Sequence, residues 1–107
     1  MAHLWSNWHP EAVPTLEFRA IRWVSDEPQP GIVEAETDGP KGHVYHFLDK
    51  AAVFSDLGPD SNYPLGLALP VEVLAVDGLT ALVRLPHSLE DTTGANTISV
   101  PRDLLSD

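Results

Sequence analysis

The chain has 107 residues, of which 43% are hydrophobic, a length and composition that suit one domain with one core. Sixteen acidic residues against six basic ones give a formal net charge of −10. A field of that sign repels phosphate backbones and anionic lipid surfaces, so it argues against nucleic-acid and membrane partners. The absence of cysteine excludes disulfides and thiol chemistry.

The sequence predicts an N-terminal arm over residues 1–14 and a single β domain over residues 15–107. Trp5 and Trp8 lie three positions apart in the arm, and two prolines interrupt regular structure there. Two indoles are costly to leave in water, so we expect the arm to cover an apolar patch or a sheet edge. An exposed aromatic surface for a partner is the alternative.

No basic region followed by an apolar run marks a signal peptide, and no apolar run approaches the ~20 residues that cross a membrane. We therefore expect a cytoplasmic protein. Ten prolines and seven glycines interrupt the chain too often for a long helix.

Short segments of alternating apolar and polar residues predict about six β-strands. In the first of them, the apolar phase shifts by one residue between Ala20 and Ile21, which predicts a β-bulge or a sharp bend. Asp77-Gly78 predicts a tight hairpin turn. The predicted strands cover residues 15–24, 32–37, 43–48, 70–76, 80–85 and 97–100.

The segments between these strands predict loops, of which residues 55–66 form the longest. Residues 101–105 predict one closing helical or 3₁₀ turn, because proline suits a first helical position. Strands that follow one another without a crossover helix pair antiparallel. The fold class is therefore all-β: a small SH3-like barrel or a strongly bent meander, with an N-terminal arm.

Two stretches, Pro30-Gly31-Ile32-Val33-Glu34-Ala35-Glu36 and His46-Phe47-Leu48-Asp49-Lys50-Ala51-Ala52-Val53-Phe54, carry a resemblance. They look like small uncharacterised bacterial proteins in which a Pro-Gly-aromatic-Val-Glu strand precedes a Phe-x-Asp-Lys-x-x-Val-Phe element. Ile32 stands where that pattern has an aromatic residue. The resemblance covers residues 30–54 and implies a bacterial protein, without an activity or a site. Residues 98–105 are similar to the closing strand of SH3 domains.

The histidines and the acidic loop do not fit a metal site, so we predict no metal. His43 and His46 are three apart, which points them to opposite faces of a strand. The loop over residues 56–62 offers oxygen ligands without the alternating spacing that calcium loops use. Asx-type turns explain that composition.

No catalytic or cofactor motif is present, so we predict that the protein is not an enzyme and binds no cofactor. The chain has no Gly-x-Ser-x-Gly elbow, no His-Glu-x-x-His and no glycine-rich phosphate loop. Glu34 and Glu36 share one strand face, as a pair of glycosidase carboxylates could, but such a pair is more often a solvated face.

We expect a protein-interaction module instead, because acidic residues follow one another along a loop and its next strand. An acidic patch attracts and steers a basic protein, as an immunity-type protein would neutralise a basic toxin. The alternatives are an edge strand protected by charge, and a small-ligand-binding barrel with its pocket between residues 55–66 and 87–96. The predicted partner-binding residues are Asp26, Glu27, Glu34, Glu36 and Asp38, with Trp23 and Tyr45.

Overall fold

The structure, a computed structural model, describes residues 13–54 and 56–106, so the prediction for the arm lies almost entirely outside the described residues. The described part is built of eight strands, one short helix and three 3₁₀ turns. The turns are Pro40–Gly42, Pro86–Ser88 and Arg102–Leu104. The strands and helix are β1 (Thr15–Ser25), β2 (Ile32–Asp38), β3 (Val44–Lys50), α1 (Ala51–Phe54), β4 (Leu65–Pro70), β5 (Glu72–Asp77), β6 (Thr80–Arg84), β7 (Thr97–Pro101) and β8 (Leu105–Ser106).

These strands form two antiparallel sheets, which confirms the all-β prediction. The first sheet has the order β4-β1-β2-β3, with β8 pairing the start of β1, and the second has the order β5-β6-β7. Within the described residues the sheets do not close into a barrel, so the SH3-like barrel is not confirmed.

The predicted meander is wrong at β4, which lies beside β1 and gives the strand order of a Greek key. β4 reaches this position because the chain crosses from the β3 edge of the sheet to the β1 side between α1 and Pro64. The physical reason lies in the core: Leu69 of β4 is buried opposite Leu16 of β1.

The sequence also placed the strand boundaries around Pro70 wrongly. The irregular stretch ends at Pro64, and Pro70 closes β4 instead of opening the next strand. Val71 separates β4 from β5, and its N–H donates to the Pro14 carbonyl at 2.9 Å. The chain passes from the first sheet to the second at this residue, so Pro70 belongs to β4 and the rest of the predicted strand corresponds to β5.

Of the two alternatives predicted for the phase shift in β1, the structure has the β-bulge. The register with β2 shifts between Ala20 and Arg22, and again between Trp23 and Ser25. Because the bulge absorbs one residue, Ala20 is buried while Arg19 and Arg22 both stay on the opposite, outer side. The closing 3₁₀ turn is confirmed as well, and β8 follows it.

The core lies between the inner sides of the two sheets. Phe18 and Phe47 meet edge to face there, with ring centroids 5.3 Å apart, and both are almost completely buried. Each such side chain contributes about 1.5–3 kcal/mol by leaving water. The Tyr45 hydroxyl donates to the Ser99 carbonyl of β7 at 2.9 Å and so ties the two sheets together.

Candidate protein-binding face

The outer side of the first sheet carries charged residues on its two central strands. Buried residues of β2 alternate with these charged ones, so the pleat fixes which side chains face outward. Within the described residues, no strand or helix packs over this side. We call the following set the acidic face: Glu17, Arg19 and Arg22 of β1, with Glu34, Glu36 and Asp38 of β2.

Arg19 is the centre of an ion-pair network on the acidic face. Its Nη2 lies 2.7 Å from Glu36 Oε2 and 2.9 Å from Asp38 Oδ1, and its Nε donates to the same Glu36 oxygen at 3.0 Å. Hydrogen bonding to Arg19 lowers the pKa of Asp38, and the two carboxylates raise the pKa of Arg19 further above its ordinary value. The guanidinium thus fixes the directions of both carboxylates.

A second ion pair lies on β1 just after the β-bulge. Arg22 Nε donates to Glu34 Oε1 at 2.7 Å, across the register pair Arg22↔Glu34. The side chains of these ion pairs are 24–62% exposed, so each pair contributes at most about 1 kcal/mol to stability. Their effect is to position charge on an open surface.

The charges on the acidic face do not balance. Four carboxylates meet two guanidinium groups, and Glu17 forms no ion pair with another described residue. Neither Glu36 Oε1 nor Glu34 Oε2 accepts a hydrogen bond within the described part. Among the described residues, one carboxylate oxygen each of Glu34 and Glu36 thus has no hydrogen-bond donor, while the other oxygen is held by an arginine.

Asp26 and Glu27 extend the negative charge into the β1–β2 turn. Asp26 accepts a hydrogen bond from the Trp23 indole at 2.8 Å, and Glu27 accepts one from the Gln29 side chain at 3.3 Å. Ser25 Oγ donates to the Glu27 carbonyl and accepts from its N–H, which holds the turn in shape. Both carboxylates remain exposed.

The structure places the two predicted aromatic residues on the opposite side of the first sheet from the predicted carboxylates of β2, although the Trp23 indole contacts Asp26 in the turn. Trp23 pairs with Val33, and Tyr45 pairs with Thr37, both on the inner side of the sheet. A Cβ at Gly31, where φ is +122°, would collide with the Trp23 ring, so the indole lies directly over that glycine. Trp23 and Tyr45 are therefore packing residues, while the predicted carboxylates of β2 lie together on the outer side.

The sequence prediction did not include the two arginines or Glu17. The pattern held a signal for them, because Arg19 and Arg22 lie on the strand next to Glu34 and Glu36, where charges pair across strands. It also left out Leu48, which lies opposite Glu34 on β3 and is 54% exposed. Leu48 adds an apolar border to the acidic face.

Two clefts lie away from the acidic face. One, of about 290 Å³, includes Val13, the Glu72–Arg84 ion pair and His87. The other, of about 400 Å³, lies between β5 and the C-terminal strand. Neither includes a residue of 55–66, so neither is the pocket predicted between the two loops.

The described residues offer neither a metal site nor a membrane-spanning helix. They contain no group of three histidines or carboxylates close enough to hold a metal ion. None of their helices is long and apolar enough to cross a membrane. His46 lies on the outer side of β3 opposite Glu36, whereas His43 meets Tyr45 edge to face with ring centroids 4.5 Å apart.

Comparison with protein-family models, with curated protein sequences and with solved structures finds no significant match to this chain.

Proposed function

We propose that this protein is a non-enzymatic interaction module whose acidic face binds a basic protein partner. The observation that carries the proposal is the open outer side of the first sheet, where four carboxylates meet two guanidinium groups. Neutralisation of a basic toxin in the cytoplasm, the role of an immunity protein, is the form of binding that we favour. The proposal does not depend on whether the sheets close into a barrel.

Long-range electrostatics support a basic partner. A net charge of −10 attracts positively charged surfaces over distances of about a Debye length and raises their association rate. Such steering weakens steeply as salt is added, which gives the proposal a direct signature. Glu36 Oε1 and Glu34 Oε2, which accept no hydrogen bond from residues 13–54 and 56–106, would accept hydrogen bonds from lysine or arginine side chains of the partner.

The ion pairs of the acidic face also reduce the entropic cost of binding. Ordering a long side chain at an interface costs about 0.5–1.5 kcal/mol. Arg19 already holds Glu36 and Asp38 through four hydrogen bonds. These carboxylates are therefore close to fixed before a partner arrives, which favours rapid and specific docking.

Affinity capture with matched charge variants tests the proposal. The bait variant Glu17→Lys/Glu34→Lys reverses two charges on the acidic face, and the control Asp60→Lys/Asp103→Lys reverses two exposed charges outside it. We expect one basic protein to bind the wild type and the control and to dissociate at high salt. With that purified protein, the face variant should bind at least about tenfold more weakly, a loss of about 1.4 kcal/mol. Equal affinity for both variants would refute the role of the acidic face.

A further inference from the structure

One edge of the second sheet is β5, which lies at one end of the strand order β5-β6-β7. One side of β5 pairs with β6, and the other side has no strand partner among residues 13–54 and 56–106. Unpaired N–H and C=O groups along such an edge are a template for another strand. Strand addition to a sheet edge is a common way in which proteins capture extended segments.

The side chains of β5 follow a simple pattern. Glu72 and Asp77 lie at its two ends, and the four residues between them are apolar. Val76 is 53% exposed and Leu74 is 37% exposed. A cleft of about 400 Å³ runs beside the strand and provides space for apolar side chains of an added segment. It is lined by Pro14, Val73, Val76, Arg102 and Leu105.

The hairpin that presents this edge is held in shape from outside. Arg102 donates from its backbone N–H to the Leu79 carbonyl at 2.9 Å, and from its guanidinium to the Gly78 carbonyl at 3.1 Å. Thr80 Oγ1 closes the turn by donating to the Asp77 carbonyl at 3.1 Å. A preorganised edge loses less entropy when a strand is added, which favours binding.

We propose that β5 accepts an extended segment of a protein partner as an additional antiparallel strand, and that this segment has a basic residue at each end and apolar residues between. The basic ends would lie opposite Glu72 and Asp77, where opposite charges stabilise a cross-strand pair. Glu72 already pairs with Arg84 through Oε1 at 2.6 Å, so the basic residue at that end would bind the other oxygen and add less than the one opposite Asp77. A second copy of the chain fits less well, because antiparallel pairing of two β5 strands puts Glu72 of one opposite Asp77 of the other. This site is separate from the acidic face and does not depend on it.

A capped synthetic peptide, Lys-Val-Ala-Val-Val-Lys, is the probe that tests the proposal by NMR titration of the full-length chain. We expect chemical-shift changes along residues 72–77. Methylation of alternate peptide nitrogens removes strand hydrogen bonds and should weaken binding about tenfold or more, because several hydrogen bonds of about 1 kcal/mol each are lost. Replacement of both terminal lysines by glutamate should weaken it about tenfold, through two repulsive cross-strand pairs.

Two protein variants with matched exposure complete the test. Val76→Lys places a charge beside the edge, and Leu48→Lys places the same charge on the first sheet, where the wild-type residue is 54% exposed against 53% for Val76. We expect the first to weaken peptide binding about tenfold and the second to leave it within about twofold. Tenfold corresponds to about 1.4 kcal/mol.

Four results would overturn the proposal. The first is no binding of the peptide, and the second is shift changes on the acidic face instead of residues 72–77. The third is self-association of the chain through β5, which would make a second copy the occupant. The fourth is binding that occurs only after deletion of residues 1–12, which would make the chain's own N-terminal segment the occupant.

Discussion

The Asp91 side chain holds in place the loop that lies along the outer edge of β3. Substitution of this side chain is a sharp test of the structure. The side chain is 8% exposed, and its Oδ1 accepts three hydrogen bonds: from the Thr93 N–H and hydroxyl at 2.9 and 2.6 Å, and from the Ala95 N–H at 2.9 Å. The backbone of Asp91 bridges to Phe47, and the Thr92 N–H donates to the His46 carbonyl. Asp91 thus anchors the loop to the edge of the first sheet.

The free-energy cost of Asp91→Ala follows from the hydrogen-bond donors that the substitution leaves without an acceptor. Thr93 is exposed, so water can replace the lost bonds there, whereas the Ala95 N–H is partly buried. One buried donor without a partner costs about 1–3 kcal/mol, so we expect a loss of about 2 kcal/mol. For a chain of this length, that loss lowers the Tm by roughly 10 °C. Asp91→Asn keeps an acceptor oxygen and should cost about half as much, because only the charge is lost.

The stability that Asp91 contributes should depend on pH in a defined direction. Burial alone raises the pKa of Asp91, but hydrogen bonds from Thr93, Ala95 and Gly94 outweigh burial and leave the pKa lowered. A carboxyl whose folded pKa is lowered stabilises fully above its unfolded pKa of about 3.9, and this stabilisation disappears as the pH falls through the folded pKa.

Urea unfolding of the wild type and Asp91→Asn at pH 7 and pH 3 measures this contribution. We expect the difference in free energy of unfolding between the two proteins to be about 1 kcal/mol at pH 7 and smaller at pH 3. A difference that is the same at both pH values would refute the account of Asp91.

Three further substitutions test the packing around the acidic face. Thr37→Val removes a buried hydroxyl that donates to a β1 carbonyl at 2.6 Å, and urea unfolding should show a loss of about 1 kcal/mol. Gly31→Ala forces a side chain into the Trp23 ring at a φ of +122°, so the Tm should fall by more than about 5 °C in calorimetry. Arg19→Gln removes the main partner of Asp38, so NMR titration should show a higher pKa for that carboxyl, while stability falls by no more than about 1 kcal/mol.

The alternation of apolar and polar residues was sufficient to predict the strands that have one buried and one solvated side. β1 and β2 begin at the residues that alternation indicates, and the phase shift after Ala20 marks the bulge correctly. β4 was missed because Leu65-Gly66-Leu67 follows a run of turn-forming residues and contains a glycine, which lowers strand propensity. Its pairing with β1 is a long-range contact that no local pattern encodes.

The candidate site was predictable in its acidic residues but not in its arrangement. Alternation puts Glu34 and Glu36 on one side of β2, as the sequence indicates. The position of Trp23 depends on the bulge, which turns its side chain toward Gly31 and the inner side. The pairing of Arg19 with two carboxylates depends on the β1–β2 register, which the loop between these strands sets.

Carboxyl footprinting of the complex with the captured partner tests the central proposal most directly. Carbodiimide labelling with mass spectrometry compares the free and bound protein at each acidic side chain. We predict that labelling of Glu17, Glu34 and Glu36 falls on binding while that of Asp60 stays unchanged. Unchanged labelling of the acidic face, with protection confined to other carboxylates, would contradict the proposal.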